Sequence, residues 1–379
     1  MALTANTIIS QNRTLNSISF PLPKLPNTYP HHPSKLTLHP LLPQSNYHCY
    51  QPTLPVSLVA KTSLSDIQVP STTTTTNSWP EFAKNVSGEW DGHGADFTSK
   101  GIPIELPESV VPEAYREWEV KVLDWQTQCP TLAQPEESFM FYKTIKLLPT
   151  VGCEADAATQ YSIDERNIGG EVNKVSTFAY QSGGCYVAVW PVGDHGTYRL
   201  LELEHCLINP QDRESRVRII QVVREENKKM VLKNIKVFCE QWYGPFRNGE
   251  QLGGCAIRDS GFAATDAMKA SEVVGVWQGP SAVACFTSSQ NNPPQELLGG
   301  SMQKSTRDES GVILLPRQLW CSLKESEDGG TFCEVGWLFD QGHAITSRCI
   351  FSSDAKLKAS LYDNRFSLTQ QLLSFIYYT

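Results

Sequence analysis

A glycine-tryptophan-glycine pattern at spacing two occurs twice in this chain, first as Gly88, Trp90 and Gly92 and again as Gly275, Trp277 and Gly279. Spacing two places three residues on one face of a β-strand, because successive side chains point to opposite faces. Each copy follows a polar stretch of helical character. The segment Trp79 to Val86, with Ser78 at its start and Pro80 in its first turn, reads as a short helix. The two tryptophans lie 187 positions apart, too far for a solenoid period and suited to two duplicated domains. We expect these domains over 78–261 and 265–358, with the boundary between Gly261 and Lys269.

Between the motifs run short apolar or alternating segments: "CYVAVWPV", "YRLLELEHCLI", "RVRIIQVVRE" and "MVLKNIKVFCEQW". Turn-formers such as "GDHG", "NPQDRES" and "EENKK" separate them, which is the pattern of neighbouring antiparallel strands. The second copy repeats the scheme more compactly with "GVILLPRQLWCSLKE", "GGTFCEVGWLFD" and "GHAITSRCIFSS". Many short strands must hide their edges, and closure into a barrel removes edges altogether. The expected fold class is mainly β, two tandem antiparallel barrels from an internal duplication, with a pair of open sandwiches as the alternative.

Residues 1–65 contain no Asp or Glu, four basic residues (Arg13, Lys24, Lys35 and Lys61) and abundant Ser, Thr and Pro. Such composition is how transit peptides read, and prolines at 21, 23, 26, 30 and 33 interrupt every run a secretory signal would need. We expect a disordered chloroplast transit peptide over 1–65 and a Thr-rich linker over 66–77. Beyond residue 65 the chain keeps 28 basic against 40 acidic residues, which argues against nucleic acid as a partner. No stretch approaches the roughly 20 apolar residues of a membrane-crossing helix, so no transmembrane segment is expected, and the stroma or thylakoid surface is the expected location. The 11 cysteines are scattered singly without a Cys-x-x-Cys pair, so no metal site is expected and no cofactor is required. Most of those beyond the leader, such as Cys206, Cys239 and Cys349, sit among alternating apolar residues and read as small buried hydrophobes.

The "GEWDG" opening after a short helix resembles the calycin superfamily, lipocalins and their relatives, in which a tryptophan on the first strand closes one end of the barrel. Taken with the duplication and with "LPESVVPEAYREWEVKVLDWQTQCPTLA" and "LPRQLWCSLKESEDGGTFCEVGWLFDQG", the chain resembles the plant branch of domain-of-unknown-function family 3598, shared with cyanobacteria. The likeness covers about Trp79 to Lys358. It implies calycin-like barrels and a plastid location, and residues 359–379 then form an atypical C-terminal tail.

Trp90 and Trp277 are expected to be structural plugs, each burying a large apolar area at a barrel base. In lipocalins a C-terminal arginine stacks on this tryptophan. The resemblance implies Arg348 as the partner of Trp277; in the first copy no equally placed arginine is obvious, and Arg224 and Arg247 are the candidates. Alternation puts His205 on one strand face with Leu201, Leu203 and Leu207, where a single imidazole could line a cavity and orient a ligand; a satisfied core histidine is the structural alternative. Trp190 and Trp242 join His205 as candidate ligand-binding residues. Trp118 and Trp125, from an extended strand read over 118–125, complete the set. Glu202 and Glu204 fall on the face opposite His205, where charges are ordinarily solvated. His93 and His343 adjoin glycines at turn-like places.

No nucleophile elbow, phosphate loop or metalloprotease motif occurs, and no catalytic residue is identified. Three functions stay open. The first is a binding protein for a small apolar plastid molecule: a tetrapyrrole, a carotenoid or a fatty-acid derivative. The second is a lyase or isomerase acting on such a molecule. The third is a filled-barrel assembly factor whose partner is a thylakoid protein complex. A cavity of roughly 300 Å³ or more would favour the ligand readings.

Overall fold

The computed structural model describes residues 78–151, 159–170, 175–250, 261–286 and 293–367. The leader expected over 1–65, the linker over 66–77 and residues 368–379 lie outside them. The described chain is mainly β and builds two sheets, with a few short helical segments. The expected first helix forms with the bounds read from the sequence (α1, Trp79–Val86) and buries Trp79, Phe82, Ala83 and Val86. The first tryptophan motif then enters β1 (Glu89–Thr98).

After β1 come helix α2 (Glu113–Glu117) and strands β2 (Asp124–Gln128), β3 (Thr131–Gln134), β4 (Phe139–Leu147) and β5 (Gln160–Ile168). Next are β6 (Thr177–Tyr180), β7 (Tyr186–Asp194), β8 (Arg199–Ile208), β9 (Ser215–Glu226) and β10 (Lys229–Gly244). They pair in the order β6-β7-β8-β9-β10-β1-β2-β4-β3, with β5 on β4. The strand expected over Trp118 to Trp125 is not continuous. Pro112 starts the α2 turn, Trp118 caps that helix, and Glu119 follows with a φ of 53°. Only Trp125 lies in β2.

This sheet coils until β4 and β5 face β7 and β8 across its interior. Arg166 on β5 reaches Glu202 on β8 at 2.5 Å, and Tyr142 on β4 donates a hydrogen bond to Glu204 on β8. The ends of the sheet share no ladder, so the expected closed barrel is not formed. Helix α1 occupies the gap instead. Trp79 Nε1 donates to the carbonyl of Gln134 at 2.7 Å, and Asn85 Nδ2 donates to that of Ser182 at 2.8 Å. Edge-on contacts of Trp79 with Phe178 and Tyr180, and of Phe82 with Tyr186, fill the space a ladder would need.

The second copy starts with α3 (Ala270–Val273) and β11 (Gly275–Cys285). A two-residue strand, β12 (Gln295–Glu296), then pairs in parallel with β6, extending the first sheet. The second expected domain therefore contributes a segment to the sheet of the first. The remaining strands are β13 (Leu298–Arg307), β14 (Val312–Leu315), β15 (Leu319–Glu325), β16 (Thr331–Asp340), β17 (His343–Phe351) and β18 (Leu357–Ser367). Their order is β13-β11-β18-β17-β16-β15-β14, again with no ladder joining the ends. Residues 359–367, expected as part of a tail, are instead the body of β18, paired on both sides. Such a strand is buried on both faces and so lacks the clean alternation that marks a half-exposed one.

One hydrophobic cluster spans the two sheets, and a smaller one around Trp277 and Trp320 lies within the second copy. Leu203, Leu207, Val217, Ile219 and Val223 of β8 and β9 belong to the same packed cluster as Cys321, Cys333, Val335, Ile345 and Cys349 of β15 to β17. Seven cysteines of the described residues are free thiols, six of them buried, in the small-hydrophobe role read from their surroundings.

Candidate functional site

The interior of the first sheet is charged. Alternation on β8 aims Glu202 and Glu204 inward, and on β9 it aims Arg216 and Arg218 inward to meet them. Glu204 is fully buried and accepts from Tyr142, from Tyr186 at 3.0 Å, from Trp190 Nε1 at 3.0 Å, from Arg166 at 3.3 Å and from Arg218 at 3.1 Å. Glu240 on β10 accepts from Arg216 at 2.6 Å and from Arg218 at 2.8 Å. Burial alone would raise both carboxyls, yet Arg166 and Arg218 hold Glu204, and Arg216 and Arg218 hold Glu240, below the usual carboxylate range. Burial also pushes the Tyr142 and Tyr186 hydroxyls up, helped by Glu204, which keeps them protonated as donors.

A carboxylate with five donors has no lone pair left for a proton in flight. Glu204 is thus suited to fixing Trp190 and Arg166 in place, and poorly suited to acid-base chemistry. At the open rim the network changes character. A cleft of about 460 Å³ is lined by Asp164, Arg166, Trp190, Pro191, Glu202 and Lys236, among others. A second hollow of about 230 Å³ shares Asp164, Arg166 and Lys236 with it and reaches Lys146 and Arg218. Arg166 lies 5.0 Å from the Trp190 ring centroid, and Lys236 Nζ contacts Glu202 at 2.7 Å. Burial lowers Lys146 despite nearby Asp96, so its ammonium is short of compensating charge. The rim thus combines a buried indole edge with Arg166, held by Glu202 and Glu204, and with part-exposed Lys236, whose ammonium can turn from Glu202 toward an anion.

The candidate residues separate in this structure. Trp190 lines the cleft. His205 does not, because alternation points it at the other sheet, where its Nδ1 shares a 2.8 Å hydrogen bond with Ser347 Oγ of β17. Glu202 and Glu204, expected to be solvated, are the inward residues of that strand. Trp125 is buried but stacks on Tyr161 with centroids 4.7 Å apart, Trp118 is exposed at the end of α2, and half-exposed Trp242 donates to the Ser87 carbonyl at the end of α1. None of these three lines the cleft.

Both plug tryptophans are fully buried, and each donates its Nε1 to the carbonyl four residues earlier, Val86 for Trp90 and Val273 for Trp277. Their cations differ from the expected ones. Arg216, not Arg224 or Arg247, covers Trp90, and Arg307 of β13, not Arg348, faces Trp277 at 5.9 Å. Arg348 is instead paired with Glu334 and Asp363. Reading the residues alone missed Arg166, Arg216, Arg218, Lys236 and Glu240. A usable signal existed: two glutamates at spacing two on one strand, followed on the next by two arginines at the same spacing.

Among the described residues no cluster of His, Cys, Asp and Glu is arranged to hold a metal ion, and no helix is long and apolar enough to cross a membrane. No protein-family model and no curated protein matches the chain. Among solved structures, it is similar to a protein of unknown function from the DUF3598 family of the cyanobacterium Nostoc punctiforme, at 10% identity and a TM-score of 0.47, over 77% of this chain and 100% of that one.

Proposed function

We propose that the protein is a plastid-imported member of domain-of-unknown-function family 3598 that binds a small amphipathic acid at the rim of its first, calycin-like sheet. The targeting rests on the acid-free leader, and the family on the repeated tryptophan motif and the segments around it. The observation that carries the binding function is the cleft of about 460 Å³ where Trp190, Arg166 and Lys236 meet. Its volume falls within the range of small-molecule sites. Of the ligand classes considered, a tetrapyrrole or fatty-acid derivative supplies a carboxylate that would compete with Glu202 for Lys236 and Arg166, and a carotenoid hydrocarbon has no such group. Arg166 and Lys236 would share that carboxylate, while the apolar body lies on Trp190 and Val192.

A lyase or isomerase has less support, because the buried carboxylate that lines the cleft, Glu202, is already paired with Arg166 and Lys236, and Glu204 behind it is saturated with donors. The filled interior favours an assembly factor to the same degree that it disfavours a deep cavity, but it leaves the rim cleft unexplained. The test is a titration of the protein with α-linolenic acid, its methyl ester and protoporphyrin IX, followed by tryptophan emission and calorimetry. A saturable signal from an acid, at least tenfold weaker for the ester and for Lys236→Gln, supports the reading. Equal responses of acid and ester, or no saturation, count against it.

A further inference from the structure

A second cleft, of about 420 Å³, lies between the two sheets and shares no lining residue with the rim site. One wall is the outer face of β1 and β10, with Asp91, His93 and Cys239. The other comes from the second copy, with Trp337 and Phe339 of β16 and Arg317 of the β14–β15 turn. That turn holds Arg317 and Gln318 at φ values of 59° and 61°, the pair of left-handed residues that a tight hairpin turn requires, and this fixes Arg317 at the cleft.

Asp91 is 7% exposed, and its Oδ1 has no hydrogen-bond partner among the described residues, although Gln128 bonds to the carboxyl. A buried carboxylate oxygen without a donor costs free energy that a ligand donor would recover. Burial raises this carboxyl to about 6, with the side-chain hydrogen bond of Gln128 opposing and Glu89 and Glu240 adding to the rise. Arg247 acts in the other direction. Arg317 is placed near Asp124 and Cys239, whose ionised forms it favours, and Arg216 and Glu240, which also line the cleft, are paired with each other at 2.6 Å, so the carboxylate oxygen left for a ligand donor is that of Asp91.

We propose that this inter-sheet cleft is a second binding site, for a small molecule with a protonated amine that pairs with Asp91 and an apolar or aromatic body that lies against Trp337 and Phe339. The site needs both copies of the duplication, since the anion comes from the first and the aromatic wall from the second. It does not depend on the rim cleft being occupied.

The probe is 2-phenylethylammonium, compared with its neutral isostere 2-phenylethanol by calorimetry on the full chain at pH 7.5. The ammonium should bind at least tenfold more tightly than the alcohol, and Asp91→Asn should remove that preference while leaving the circular dichroism and melting profile of a folded protein. Trp337→Leu should weaken both probes, and Lys236→Gln at the rim should change neither. Equal affinity for the two probes, an unchanged preference in Asp91→Asn, or no saturation by millimolar ammonium would each overturn the proposal.

Discussion

The guanidinium carbon of Arg216 sits 4.3 Å from the ring centroid of Trp90, and its Nε donates to Glu240 at 2.6 Å, so the plug, the cation and the anion form one stack. The second copy keeps the tryptophan and changes the rest. Opposite Trp277 on β18 is Ser367, and two residues back stands Arg365, in the place that Glu240 takes opposite Gly92. An arginine at the next strand would meet Arg365 with like charge, and the residue paired there is Ala344. The cation over Trp277 therefore comes from the other flank of β11, as Arg307.

Arg216→Ala leaves Glu240 buried with only Arg218 as its cation, and breaking such a pair typically costs about 3 to 5 kcal/mol. Replacing both partners, as Arg216→Met with Glu240→Leu, should recover at least half of that loss. Urea unfolding of the two variants checks it. A double variant no more stable than the single one would show that the stack is not held by this pair.

The second glycine of each motif is required by close backbone approach. A Cβ on Gly92 would lie 1.9 Å from the carbonyl oxygen of Cys239, and one on Gly279 1.9 Å from that of Asn364. Gly92→Ala and Gly279→Ala should each destabilise by about 1 to 3 kcal/mol or more, as overpacking does. Gly299→Ala, where nothing lies within 4 Å of the added atom, should stay within about 0.5 kcal/mol of the parent. Thermal melts of the three variants rank them.

Trp277→Ala should cost about 3 to 5 kcal/mol, the usual loss for a large buried aromatic. Because the packed cluster spans both sheets, heat should unfold the two copies in one transition. Scanning calorimetry that resolved an intact first half would contradict the shared core.

His205 is fully buried with Nε2 unpartnered, and burial, opposed by Glu204 and Glu334, lowers its pKa to about 3. The unfolded histidine takes up its proton near pH 6.5 while the folded one does not, so this contribution is complete above about pH 6.5 and is lost as pH falls toward 3. Asp91 and Asp124, both raised to about 6 by burial, act with the opposite sign between about pH 4 and 6. The His205→Gln variant isolates the histidine. Its stability should fall less steeply than the parent's between pH 6.5 and 5, by up to about 1.4 kcal/mol per pH unit. Parallel urea-derived curves would rule out a buried neutral imidazole.

Local pattern was enough to determine the β class, helix α1, the repeated tryptophan strands and most strand segments. In these places spacing, glycine and turn residues act within a few positions of each other. Alternation also grouped His205 with Leu201, Leu203 and Leu207, and Glu202 with Glu204. Which group faced inward was decided by tertiary structure, because a coiled sheet packed on a second sheet has two buried faces and period two cannot rank them. The same limit hid β18, which is covered on both sides. The sequence showed Arg216, Arg218 and Glu240 only as charges; their pairing depends on β8, β9 and β10 lying side by side, and the rim cleft depends on β5 reaching across to β7 and β8. Contacts between strands far apart in the chain are set by how the whole sheet coils, and no single segment encodes that.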